Sequence, residues 1–160
     1  MEVKNMEMEI KEKAGFKVVG IGIDTSVQEC IKNNKIPALW KKFIDELWMI
    51  NNRVDGKNFY GLSLTTGECS FNHIACVEVF NIDEVPKSMV AKEIPGSRYA
   101  VWTYKGKMPG LTEAYRWLYE EGMPKSGLKQ KKDLWLEKYD ERFKDDSDES
   151  IMEILIPIED

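Results

Sequence analysis

The side chains best suited to chemistry in this chain gather in one heptapeptide, LWLEKYD, from Leu134 to Asp140. Read as a strand, it alternates faces, so Trp135, Glu137 and Tyr139 share one side while Leu134, Leu136 and Lys138 share the other. A carboxylate between two rings has two readings. One is a solvated strand face with cross-strand aromatic pairs, each worth up to ~1 kcal/mol without any ligand. The other is the wall of a pocket for something flat and cationic. A partly desolvated carboxylate is costly unless a cation neutralises it. Ring faces add ~0.5–2 kcal/mol of direct attraction for that cation. A carboxyl group buried without a cation favours its protonated form instead, and becomes a candidate general acid or base. One constellation thus supports a binder and an enzyme.

More rings are available to the same surface. In RYAVWTYKG, alternation puts Ala100, Trp102 and Tyr104 on one face and Tyr99, Val101 and Thr103 on the other. Apolar Leu134 and Leu136 suit a helix-covered core side, which leaves the aromatic set around Glu137 on the open side. So many large rings on an open surface would form an apolar patch of the kind that marks recognition. His73, the single histidine, reads as a satisfied strand residue rather than a catalyst.

The elements that must position these residues come from an internal repeat. AGFKVVGIGI (Ala14–Ile23) and PGSRYAVWTY (Pro95–Tyr104) share a glycine at the second place and a basic residue at the fourth. Both continue with β-branched and aromatic residues, the mark of a strand. Each is followed by a helical pattern. In the first, Ile36, Trp40, Phe43, Ile44 and Leu47 make the buried stripe; in the second, Leu111, Ala114, Tyr115 and Leu118 do. Pro37 and Pro109 suit first helical turns, and Gly122 a helix stop. Ser26 to Glu29 fits a capping box for a further short helix. Two strand-like runs close each half, FYGLSL and HIACVEV in the first, LWLEKY and IMEILIPI in the second. Met152, Ile154 and Ile156 form the core face of the last run. Aligned by strand order, Tyr60 stands where the second half has Trp135.

The expected fold is therefore α+β. Two β-α-β-β units, about residues 8–80 and 90–159, are related by pseudo-twofold symmetry within a single domain spanning 1–160. Antiparallel sheets carry helices on one face, and a cleft lies where the halves meet.

Composition bounds the function. The chain has 160 residues, of which 42% are hydrophobic and 32% charged, which places it among ordinary globular proteins. A net charge of −5 argues against a phosphate-backbone binder. Apolar runs such as VVGIGI fall far short of the ~20 residues that span a bilayer, and no secretion signal is present. Three cysteines without CxxC spacing read as free thiols in the cytoplasm. Neither a metal site nor a cofactor is expected.

The block IPGSRYAVWTYKG (Ile94–Gly106), the LWLEKY strand and the closing EILIPI together resemble the GyrI-like small-molecule-binding domain. That family includes effector-binding domains of AraC-type and MerR-type multidrug regulators and relatives of the SOUL haem-binding fold. The likeness runs from the first strand to Ile158. It implies that Glu137 meets cationic ligands, with Tyr139 two residues on. It further implies that Tyr99, Trp102 and Tyr104 supply aromatic positions and that Trp40 is the helix tryptophan. The family's F-x-Y-x-x-G-V-E-V strand reads FNHIACVEV here, with His73 for tyrosine and Cys76 for glycine. No haem ligand is implied.

Three functions follow as expectations. The leading one is a stand-alone protein binding lipophilic or cationic aromatic small molecules through Glu137, Trp135, Tyr139, Trp102, Tyr99, Tyr60 and Trp40. The second, implied by the resemblance, is a hydrolase of cyclopropane-containing electrophiles, with Glu137 activating water and Tyr104 bonding the ligand carbonyl. The third, also implied by the resemblance, is an interaction module for a protein partner such as a topoisomerase. The chain begins close to its first strand, so direct nucleic-acid binding is not expected.

Overall fold

The computed structural model describes residues 6–26, 28–29, 35–131, 133–144 and 147–160. Among the described residues there are eight strands: β1 (Glu7–Lys13), β2 (Phe16–Ser26), β3 (Phe59–Thr65), β4 (Ser70–Val79), β5 (Val90–Ile94), β6 (Ser97–Lys105), β7 (Leu134–Tyr139) and β8 (Ile151–Ile158). They form one antiparallel sheet in the order β1-β6-β8-β7-β3-β4-β2-β5. Helix α1 (Lys35–Glu46) crosses the first half. In the second half α2 (Leu111–Trp117) runs through a π-helical turn at Leu118–Gly122 into the short α3 (Met123–Ser126). The duplicated β-α-β-β order is as expected, and its pseudo-twofold relation can be read in the strand order itself. Strands β6-β8-β7 mirror β2-β4-β3 about the central β7–β3 pair.

Two strands lie outside the repeat pattern. The leading strand β1 pairs with β6 of the second half, and β5, which leads into the second half, pairs with β2 of the first. Each half thus lends an edge strand to the other. The connections meet where they cross: a Cβ on Gly15 would stand 3.2 Å from the Gly96 nitrogen. This explains the glycine shared at the second place of both repeat segments. The edge strands escape a periodicity argument because an edge facing water carries charge to discourage further pairing. Accordingly, β1 reads EMEIKEK and is almost wholly exposed.

The two faces of the sheet bury different things. Val19, Ile21, Ala75 and Val77 pack under α1 with Leu39 and Phe43. On the same face, Ala100, Trp102, Ile154 and Ile156 pack with Ala114 and Leu118 of the second helical segment. Among the described residues the opposite face carries no helix, yet Phe16, Val18, Tyr60, Leu62, Tyr99, Val101, Leu136 and Leu155 form one buried cluster. Strands β2 and β6 stand at opposite ends of the sheet order, so their residues can share a cluster only if the sheet curls and its halves face each other.

Three local expectations need correcting. Leu134 and Leu136 belong to the curled, helix-free face, whereas the Glu137 face is the helix-covered one. Ile44 is exposed, because Leu39 and Phe43 carry the buried stripe of α1 instead. Gly122 does not end its helix: it is buried, and a Cβ there would stand 2.7 Å from the Trp117 ring. The helix stops at Gly127, whose φ of 74° is the left-handed cap. The capping expectation at Ser26 holds as a bond, since the Glu29 N–H donates to Ser26 Oγ at 3.2 Å. Val27 and Cys30 lie outside the described residues; Cys69 and Cys76 are free thiols. Among the described residues no helix is long and apolar enough to cross a membrane.

Candidate functional site

Strand β7 lies at the seam between the halves, paired with β8 of its own half and β3 of the other. Glu137 therefore sits opposite Gly61, with Ala75 and Ile21 beyond in the same row. The next row on this face holds Trp135, Ser63, His73 and Ile23. Both rows point under the helices. Glu137 is only 9% exposed.

Two phenols hold its carboxylate. The Tyr115 hydroxyl, from α2, donates to Oε2 at 2.6 Å, and the Tyr139 hydroxyl, from β7, donates to Oε1 at 2.8 Å. Burial, then the charge of Glu137 and the bond to it, pushes both phenols well above their ordinary range. They remain donors at any working pH. Among the described residues no Lys, Arg or His forms an ion pair with Glu137. A buried carboxylate with two neutral donors and no cation is an unfilled electrostatic demand.

Aromatic groups wall this demand. Trp40 of α1 stands edge-on to Tyr139, with ring centroids 5.3 Å apart, and Phe143 backs that ring at 4.9 Å. Trp135 meets Tyr119 of the π turn at 5.6 Å, and Trp102 meets Trp117 at 5.7 Å. The indole N–H groups of Trp135 and Trp102 are buried and without partners. Beside Glu137, a cavity of about 370 Å³ is lined by Tyr115, Leu118, Tyr119, Met123, Trp135 and Ile156 among others. That size falls within the range of small-molecule sites. Tyr115, which bonds to the carboxylate, also stands in the cavity wall with Trp135, while Glu137 itself does not line the cavity. The π turn widens the helix here, which is where such turns commonly serve a site.

Of the residues expected at the site, the structure brings Glu137, Trp135, Tyr139 and Trp40 together and adds Trp102 to the same face. It places Tyr60 and Tyr99 on the curled face, away from the carboxylate, with Tyr60 packed against Phe16 at 5.5 Å. The strand-order alignment of Tyr60 with Trp135 fails because Gly61, not Tyr60, is the residue facing the helices. Tyr104 is on the helix face, but its hydroxyl donates to the Lys107 carbonyl at 2.6 Å and is thereby committed. Tyr115 takes the place beside Glu137 that the sequence reading gave to Tyr104. Its spacing in the helical stripe is also that of a core residue, so only its hydroxyl could have marked it.

His73 is likewise not the satisfied residue expected. It is 2% exposed; its Nδ1 lies 2.8 Å from Ser63 Oγ, while Nε2 has no partner. Burial holds its pKa below the ordinary histidine value, an effect partly offset by the charge of Glu137. The unfolded chain therefore binds a proton that the folded one refuses as pH falls through and below 6.5. Stability present above that pH is expected to decline towards pH 5, with a slope approaching ~1.4 kcal/mol per pH unit at most. Urea midpoints of wild type and His73→Gln across this window check it. Equal slopes in the two would remove His73 as the cause.

A family model for the integron-associated effector binding proteins (Cass2) matches residues 9–158. The chain belongs to this family. A curated relative, the transcriptional regulator BrlR of Pseudomonas aeruginosa, is 31% identical over 98% of the chain, which spans 57% of that regulator's length. Among solved structures, SAV2435 bound to tetraphenylphosphonium superposes with a TM-score of 0.76 at 19% identity, covering 96% of this chain and 94% of that one. The Vibrio cholerae integron cassette protein VCH_CASS2 gives 0.68 at 21% identity, with 98% and 100% covered. These likenesses establish the α+β effector-binding fold, in agreement with the GyrI-like resemblance. Within this Cass2 fold Glu137 lies at the seam between the repeats, whereas the residues lining the cavity all come from the second half, so this cavity is not the expected cleft between the halves.

Proposed function

We propose that this chain binds lipophilic aromatic cations, with Glu137 as the counter-charge and Trp135, Tyr139, Tyr115 and Trp40 as the enclosing rings. The observation that carries the reading is the buried carboxylate, bonded only to neutral phenols and walled by aromatic side chains. Desolvation makes such a group costly by itself and attractive to a cation whose own hydration is weak. A large, charge-delocalised organic cation fits that description, and tetraphenylphosphonium bound to the structurally similar SAV2435 makes it the natural first probe.

The five tryptophans provide the signal. Titration with tetraphenylphosphonium is expected to quench their fluorescence saturably, while triphenylphosphine oxide, aromatic but neutral, binds at least about tenfold more weakly. Equal affinity for the two would reject a charge-based site. A hydrolytic reading of the same cleft would draw its phenol from Tyr115 or Tyr139, which hold the carboxylate. Turnover of a cyclopropane electrophile that vanishes in Glu137→Gln would establish it.

A further inference from the structure

Two rings of the first half face water although the core does not need them. Trp48 is 73% exposed and Phe80 67%, more than any other large apolar side chain among the described residues. Helix α1 turns Leu39 and Phe43 inward, and Ile50 closes the turn beyond it, so Trp48 falls off the buried stripe. Phe80 follows Val77 and Val79, which already fill the space under α1.

The surface that carries these rings is held in place. The Phe80 N–H donates to the Asn52 carbonyl at 3.0 Å. Asn52 Nδ2 donates to the Asn81 carbonyl at 2.6 Å and to Asn81 Oδ1 at 3.0 Å. The Asp83 N–H donates to the same Oδ1 at 3.3 Å. These bonds tie the segment after α1 to the turn after β4. Between the two runs lies a groove of about 630 Å³, walled by Met49, Val85 and Pro86 together with the polar Asn51, Asp83 and Glu84 among others. Trp48 adjoins Met49 in the chain and Phe80 adjoins Asn81, so each ring stands one residue from the groove wall. Exposed apolar groups gathered beside a preformed groove are a mark of recognition.

Charge decides what covers them. The groove wall holds two carboxylates, Asp83 and Glu84, and no basic side chain among the described residues. Asp45 and Glu46 lie in the turn before Trp48. Among the described residues none of these four carboxylates is in an ion pair. Lys87 and Arg53 adjoin the groove in the chain and leave the surface net acidic. A second copy of this chain would set like charges opposite one another across a twofold contact. Phosphate-bearing surfaces, lipid or nucleic acid, are repelled for the same reason. A segment both cationic and apolar is attracted by both features.

We propose that this groove is a docking surface for a basic, amphipathic segment of a partner protein. Trp48 and Phe80 are its apolar anchors, and Asp83 and Glu84 set the sign of the partner. Such rim charges act more on encounter rate and choice of partner than on affinity, whereas the rings supply most of the holding. The groove is built wholly from the first half, and Glu137 lies on β7, so this surface stands independently of the cation site.

Selection from a displayed library of random peptides of ~16 residues tests the proposal. It is run at ~0.15 M salt, which screens diffuse attraction to an acidic protein. Peptides retained by wild type but not by Trp48→Ala/Phe80→Ala are expected to be rich in Lys and Arg, with aromatic or aliphatic residues between them. The best of them, synthesised, should shift the tryptophan emission of wild type to the blue but not that of Trp48→Phe. It should bind Trp48→Ala/Phe80→Ala and Asp83→Asn/Glu84→Gln at least about tenfold more weakly. Glu7→Gln/Glu12→Gln removes the same charge from the exposed strand β1 and should leave the affinity within about twofold. All these positions are on the surface, and circular dichroism checks that each variant is folded. If no peptide separates wild type from the ring variant, or both charge variants weaken binding equally, the proposal is overturned. Enrichment of acidic or uncharged peptides overturns it too. So does self-association, or binding to phosphatidylglycerol vesicles, that the ring variant abolishes, since either would give the groove a different occupant.

Discussion

Glu137→Gln is expected to weaken binding of an aromatic cation by roughly 100-fold, about 3 kcal/mol, while raising the melting temperature. The two effects have opposite signs for one reason. In the empty protein the carboxylate is 9% exposed and has no cation beside it, so only two neutral hydrogen bonds offset its desolvation. Glutamine keeps the shape, and its carbonyl still accepts one phenol's hydrogen bond. Its amide can donate to the other phenol's oxygen, so Tyr115 and Tyr139 need not lose partners. Relief of the buried charge should contribute ~1 kcal/mol or more, a rise of roughly 2–4 °C for a chain of this size. Binding sites commonly hold such locally unfavourable arrangements. Calorimetric melting and fluorescence titration of the same two proteins check both signs. A fall in melting temperature with affinity unchanged would make Glu137 a structural anchor for two tyrosines.

The largest effect on stability is expected at Gly20. A Cβ there would lie 1.9 Å from the Ala75 carbonyl oxygen and 2.6 Å from the Cys76 Cα, both backbone atoms of the neighbouring strand. No rotamer change can relieve such an overlap. Strands β2 and β4 would have to part in the middle of the sheet, where Gly20 pairs with Cys76. Gly20→Ala should therefore cost ~3 kcal/mol or more, with a fall of roughly 6–12 °C or failure to fold. Gly22, two residues along the same strand, is the control. A Cβ there would meet the Ile74 Cγ1 side-chain atom at 3.2 Å, so Gly22→Ala should cost about 1 kcal/mol or less. Similar losses for the two would show that the close approach at Gly20 relaxes cheaply.

These two glycines mark how far the amino-acid order can be read. Both lie in VVGIGI, and nothing local distinguishes the one pressed on a neighbouring backbone from the one with room. Strand alternation, by contrast, was fully legible. It paired Trp135 with Glu137 and Tyr139, separated Trp102 and Tyr104 from Tyr99, and carried the duplicated β-α-β-β order. What alternation could not supply was which face meets the helices. The Leu134 and Leu136 face is apolar because the sheet curls onto itself, not because a helix covers it.

The order of residues by itself determined the repeat, the strand faces and the family, because these depend on periodicity and short motifs. Tertiary structure alone decided which donors reach Glu137 and which atoms remain unpaired. Tyr115 arrives from α2, 22 residues earlier in the chain, and His73 from the other half of the molecule. Their approach is set by where helices and strands cross, and hydrogen bonds depend on distances that local pattern does not encode.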